Sequence, residues 1–111
     1  MKKTIIGLVE KVILKGENID REVNARIDTG AQLSSIDMKL ATELKLGPIT
    51  RTKKIRSANG SMVRPILEIE IKIDGQEIKE EFTLSNRENM SFPVLIGQNI
   101  LKKGFLIDPL K

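Results

Sequence analysis

The stretch ARIDTGAQLSS, residues 25–35, sets an aspartate, Asp28, at the end of an apolar run and turns the chain on Thr29 and Gly30. A carboxylate in that setting is either the cap of a turn or one half of a catalytic pair. The composition narrows the chemistry further. The chain has no His and no Cys. That removes Ser-His and Cys-His nucleophile systems, disulfides and the usual ligands of a structural zinc site. Only carboxylates remain for acid–base work or for metal binding.

The elements that must position Asp28 read mostly as strands. Residues 4–14 are rich in Ile, Val and Leu and form one strand, and 15–18 turn the chain. Residues 21–27 follow as a second strand, with Val23, Ala25 and Ile27 on one face by the two-residue period. Asp28-Thr29-Gly30 is then a loop, and Leu33 to Ile36 a short strand leaving it. The best helix candidate starts at Asp37 as N-cap, carries Met38, Leu40, Ala41 and Leu44 on its apolar stripe, and is expected to stop at Gly47-Pro48. Two hairpins follow, turning at Asn59-Gly60 and at Asp74-Gly75. After the polar loop SNRENMS come a short buried strand FPVLIG, a short helix QNILKK ended by Gly104, and a closing strand FLID. The chain of 111 residues holds no repeat or linker. It reads as one domain, 1–111, mostly β, a closed or folded-over sheet with one or two short helices.

Hydrophobic residues make up 40% and charged residues 31%, a globular composition. Aromatics are 3%, with no Trp or Tyr, so the core must rest on Ile, Leu and Val. The net charge of +4 is compatible with an acidic partner without specifying one. The apolar run Ile5 to Val9 stops at Glu10 and Lys11, too short for a secretory signal, and no stretch suits a membrane span. These features, with the lack of Cys, lead to the expectation of a cytoplasmic protein.

The segments IDTGAQLSSID, RSANGSMVRPILEI and MSFPVLIGQNIL…GFLIDP together span nearly the whole chain. In their order and content the sequence resembles the retropepsin-type aspartic proteases. Within them it is similar to a family of small prokaryotic retropepsin-like proteins that go by the name ATP-dependent zinc proteases. Those proteins often accompany ligases that add glutamates to a ribosomal protein. The resemblance implies a closed acid-protease barrel and an aspartic peptidase.

Peptide hydrolysis without a metal or a nucleophilic side chain needs an activated water and an acid. Two carboxyls that share one proton supply both, because their repulsion splits their pKa values. No other Asp here is followed by Thr-Gly or Ser-Gly; Asp74 sits in DGQ and Asp108 in DPL. A dyad therefore requires two chains, one Asp28 from each meeting on a two-fold axis. The resemblance assigns the catalytic motif to Asp28, Thr29 and Gly30, with Thr29 bracing the two loops across the pair. It makes Val94, Leu95, Ile96 and Gly97 the support behind that loop. Ala31, Gln32 and the flap residues Ser57, Ala58, Asn59, Gly60, Ser61 and Met62, with Arg56 nearby, are implied to meet the peptide. The terminal strands, around 2–6 and 105–109, are implied to help join a homodimer.

The family name notwithstanding, the sequence offers neither a zinc ligand set nor a glycine-rich ATP loop with a lysine, so no metal and no cofactor is expected. Related chains carry a charged residue where Gln32 stands and an Arg where Gln98 stands. A Gln–Gln contact would replace that ion pair by a neutral hydrogen bond. The cluster Arg51, Lys53, Lys54, Arg56 and Arg64 suggests an acidic or glutamate-rich peptide. Two other readings use the same residues. One is a non-catalytic retropepsin-like module that binds an acidic tail or a partner protein. The other is an RNA-binding β domain, disfavoured because no aromatic interleaves the basic residues. The absence of His and Cys generates a first prediction. A chelator leaves peptide hydrolysis by this chain unchanged in a cleavage assay; loss of activity restored by zinc would overturn the carboxylate mechanism.

Overall fold

A computed structural model describes residues 3–58 and 60–111. The alternating apolar residues of the sequence close into a barrel. Its strands are β2 (Val9–Lys15), β3 (Asp20–Ile27), β4 (Ser34–Asp37), β6 (Gly60–Ile73), β7 (Gln76–Ser85) and β8 (Val94–Ile96). They are hydrogen-bonded in the order β2-β3-β8-β4-β7-β6, and β2 pairs back onto β6 through Val12↔Ile73, Ile13↔Lys72 and Leu14↔Ile71. That pairing closes the ring and leaves no free edge within it. The closed β barrel expected from the resemblance is therefore the observed fold.

Strand periodicity fills its interior. Leu67, Ile69, Ile71 and Ile73 of β6 point inward at every second position, meeting Val12, Leu14, Ala25, Ile27, Ile36, Val94 and Ile96 from the other strands. Phe82 of β7 is the largest fully buried side chain, so Ile, Leu and Val supply nearly all of the core. Two short helices plug the assembly, α1 (Met38–Glu43) through Leu40 and Ala41 and α2 (Gln98–Leu101) through Ile100 and Leu101. No helix among the described residues is long and apolar enough to cross a membrane.

The ribbon outside the ring is made by β5 (Ile49–Ser57) and the first half of β6. Their pairing runs from Ile49↔Leu67 to Ser57↔Gly60, with an irregularity between Ile49 and Arg51. The pairing of β6 with β7 starts only at Ile66, so the ribbon extends past the point where β7 supports it.

Three details depart from the sequence reading. The apolar run 4–14 is two strands, broken at Gly7 and Leu8. The Gly7 N–H is taken by the Glu10 carboxylate at 2.8 Å, and β1 (Thr4–Ile6) leaves the barrel to pair in parallel with β9 (Phe105–Ile107). The terminal strands are thus bound to each other within one chain, Lys2 lying outside the described residues. Helix α1 ends before Gly47. Leu44 caps it and Lys45 takes the left-handed position at φ 53°. The N–H groups of Lys45 and Leu46 then reach the carbonyls of Thr42 and Ala41. This is the Schellman pattern, with a lysine where glycine is usual. Asp37 does cap the helix, its Oδ2 accepting from the Leu40 N–H at 3.3 Å.

Candidate active site

Strand β8 lies between two partners of opposite sense. It runs parallel to β3, with Ala25↔Val94, Arg26↔Leu95 and Ile27↔Ile96, and antiparallel to β4, with Ser35↔Leu95 and Ile36↔Val94. Asp28 continues the first pairing by one residue, its N–H donating to the Ile96 carbonyl at 2.9 Å. The carboxylate is thereby fixed at the end of the β3–β8 pair. Its Oδ1 accepts the Gly30 N–H at 2.8 Å. A Cβ at Gly30 would stand 3.2 Å from that oxygen, so a glycine lets the loop close tightly on the carboxylate. Asp28 is half-buried, whereas Thr29 and Gly30 are exposed on the single chain.

The loop is held from behind by the segment after β8. A Cβ at Gly97 would lie 2.7 Å from the Leu33 carbonyl oxygen and 2.8 Å from that of Ala31, closer than any side chain tolerates. The N–H groups of Gln98 and Asn99 donate to the carbonyls of Ala31 and Gln32 at 2.8 and 3.1 Å. The Gln98 side chain donates to the Thr29 carbonyl at 2.7 Å. Gln98 therefore braces the Asp28 loop itself, in place of the expected contact with Gln32.

Ser34 and Asn99 complete the link and were missed in the sequence. Ser34 Oγ accepts the Gly97 N–H at 2.9 Å and donates to Asn99 Oδ1 at 2.9 Å. Asn99 Oδ1 also accepts the Ser34 N–H at 3.0 Å, and its Nδ2 donates to the Glu81 carbonyl at 2.8 Å. One amide thus ties β4, β7 and α2 together. The available signal was a poor helix former, Asn99, set inside the apolar run VLIGQNIL. Val94, Ile96 and Gly97 lie directly behind the Asp28 loop, and Leu95 alternates to the outer face.

The ribbon supplies the other wall. A groove of about 350 Å³ is lined by Gln32, Leu33 and Thr83 on the barrel and by Lys53, Lys54, Ile55 and Arg56 on β5. Gln32 is thus brought against the ribbon, and Ala31 sits half-buried beside it. Ala58, Gly60, Ser61 and Met62 form the exposed tip, with Ser57 paired to Gly60; Asn59 lies outside the described residues. Among the described residues, β5 supplies the ribbon's side of this groove. Arg51 leaves the basic cluster. It makes a bidentate pair with Glu81, both hydrogen bonds at 3.0 Å. That hydrogen bonding holds the Glu81 carboxyl below its ordinary pKa and the Arg51 guanidinium above its own.

Known proteins resemble this chain in sequence and in fold. The model of the RimB-like family, described as retropepsin-like aspartic endopeptidase RimB, matches residues 39–111. Asp28 precedes the matched stretch, so its place rests on the geometry above. Two proteins of Shewanella pealeana and Shewanella halifaxensis, each named "Probable alpha-L-glutamate ligase", are 29% and 28% identical over 112 residues, covering 78% of this chain. The chain spans 24% of their length. Among solved structures, a Legionella pneumophila subsp. pneumophila protein of unknown function superposes with a TM-score of 0.70 at 21% identity, covering 97% of this chain and 95% of its own. EIAV protease in complex with an inhibitor does so at 0.66 and 22%, covering 86% and 85%. The simian foamy virus (mac) protease does so at 0.63 and 17%, covering 85% and 91%. At these identities the likeness is one of fold.

The Ser34–Asn99 link generates a prediction. Asn99→Ala removes the acceptor of the buried Ser34 N–H and hydroxyl and the donor to Glu81, and is expected to lower stability by about 2–4 kcal/mol. A urea denaturation midpoint that stays at the wild-type value would show that this amide does not hold the loop.

Proposed function

The chain belongs to the RimB-like family of retropepsin-like aspartic endopeptidases, and on that premise we propose that it is a homodimeric aspartic peptidase acting on acidic, glutamate-rich peptides in the cytoplasm. The observation that carries the reading is Asp28 at a strand end, its backbone N–H donating to the Ile96 carbonyl and its carboxylate accepting the Gly30 N–H, with exposed Thr29 and Gly30 beside it. One chain offers one such carboxylate; two copies around a two-fold axis bring two together.

The chemistry follows from two carboxyls and one proton. The ionised Asp28 of one chain takes a proton from a water as its oxygen attacks the peptide carbonyl carbon. The protonated Asp28 of the other chain gives its proton to the carbonyl oxygen. The tetrahedral diol then collapses, the C–N bond breaks, and the amine leaves with the proton that the first carboxyl had taken. A hydroxyl proton of the diol returns to the second carboxyl, so one proton is shared again. Catalysis needs no metal or cofactor in this scheme. The β5–β6 ribbon closes over the peptide and limits water at the reacting carbonyl.

Acidic substrates are supported by Lys53, Lys54 and Arg56 along the groove. They are supported also by relatives named as glutamate ligases, of which this chain matches about a quarter. A basic rim raises the local concentration of an acidic peptide, and salt screens it. The rate of cleavage of a glutamate-rich peptide is therefore expected to fall between low and high ionic strength while that of a neutral peptide holds. Equal salt response of the two would count against an acidic substrate.

The shared dyad has a kinetic signature. Asp28→Asn abolishes hydrolysis and, being isosteric, leaves association in place. After subunit exchange with this variant, the rate falls as the square of the wild-type fraction. A linear fall would mean that each chain works alone. Retained binding of an acidic peptide by a wild-type chain that hydrolyses nothing would favour the non-catalytic module instead.

A further inference from the structure

The basic residues singled out in the sequence lie on the ribbon, but the fold brings a second set together ahead of Asp28. In β3, Ala25 and Ile27 are buried in the core, so Arg26 and Asp28 share the opposite side of the strand. Arg26 lines a pocket of about 240 Å³ with Leu8, Val9, Ile27 and Phe92. Arg87, in the 86–93 loop, is tied to the backbone of Phe92, which lines that pocket. Its Nε donates to the Phe92 carbonyl at 3.0 Å, and its backbone N–H is anchored on Asp37 Oδ1 at 2.8 Å. Asp37 is itself occupied at its other oxygen by the Leu40 N–H. Among the described residues neither Arg26 nor Arg87 has a carboxylate within ion-pair distance, unlike Arg21 and Arg51.

The Arg87 guanidinium feels its charged neighbours. Burial lowers the pKa of Arg87; Asp37 opposes this, while Arg26 and Arg64 lower it further and Asp28 raises it. Arg26, Arg64 and the Asp28 carboxylate therefore all contribute to the field felt by Arg87. Like charges held beside an apolar wall are costly until an anion joins them. Leu8, Val9, Ile27 and Phe92 suit a short aliphatic stem, and a guanidinium suits a carboxylate at its end.

We propose that Arg26 forms a specificity subsite, backed by Arg87 through Phe92, that binds the carboxylate of an acidic substrate side chain next to the scissile bond. The subsite rests on the peptidase reading above and assigns its selectivity to residues off the ribbon. Arg26 is the better one to change, because it is exposed whereas Arg87 also ties Phe92.

The test uses matched peptides that differ only in Glu, Gln or Lys beside the cleaved bond. Wild type is expected to favour Glu over Gln by about tenfold or more in kcat/KM, since a site built to bond a polar group rejects its analogue. Arg26→Gln brings that ratio toward one, and Arg26→Glu shifts preference toward Lys. A proportional loss for every peptide would make Arg26 merely structural and overturn the proposal. Calorimetry on Asp28→Asn, with and without Arg26→Gln, measures peptide binding without turnover. Binding that distinguishes Glu from Gln through Arg26 sustains the subsite even if the wild type hydrolyses nothing, in which case the peptidase reading alone fails. Equal binding of the Glu and Gln peptides overturns the subsite whatever the hydrolysis result.

Discussion

The structure depends on the contact at Gly97, where two carbonyl oxygens, those of Ala31 and Leu33, come so near that no Cβ fits. That approach lets β8 lie between β3 and β4 and lets the segment after it run under the Asp28 loop. Much of the site is then held through the backbone. Asp28 takes its place from the Ile96 carbonyl, Ala31 and Gln32 from the N–H groups of Gln98 and Asn99, and Thr29 from the Gln98 amide. Side chains that would do chemistry are held by groups that do none. This is why the loop can hold a half-buried carboxylate in a chain with little aromatic bulk.

Charge is arranged to the same end. On the outer surface, cations sit opposite acids, as in Arg21–Glu43, Lys79–Glu68 and Lys103–Glu80. Such exposed pairs contribute little to stability. Around the cleft the pattern changes, with Lys53, Lys54 and Arg56 on one groove and Arg26 in another pocket. A modest net charge of +4 thus understates the field near Asp28. Net charge reports a sum, and the site responds to where the uncancelled part lies.

Much of this was legible in the chain itself. Alternation in LEIEIKI and IKEEF marked the inward residues of β6 and β7, and the two Gly-containing turns set their pairing. The motif DTGA with the later VLIG pointed to the loop and its support, because each needs a glycine at a close approach. What the sequence did not disclose was set by distant partners. Gly7 looked like part of a continuous strand, since nothing local says that β1 will leave to find β9. Lys45 in a left-handed turn runs against its own preference and is imposed by the carbonyls of Thr42 and Ala41. Arg51 reads as one more cation until Glu81, thirty residues on, is placed beside it. Arg87 acts through a backbone carbonyl, which no pattern of side chains reveals.

One consequence lies in the length of β6. It runs unbroken from the ribbon tip into the barrel wall, where β7 grips it from Ile66 and β2 from Ile71. Mechanically it is a cantilever with a clamped root and an unsupported arm. Bending in such a beam concentrates at the root, and the root here has been softened. Pro65, one residue ahead of the clamp, has no N–H to give, and the pairing irregularity between Ile49 and Arg51 lies next to it, opposite Ile66 and Leu67. Bending at that root would leave untouched the registers that fix Asp28.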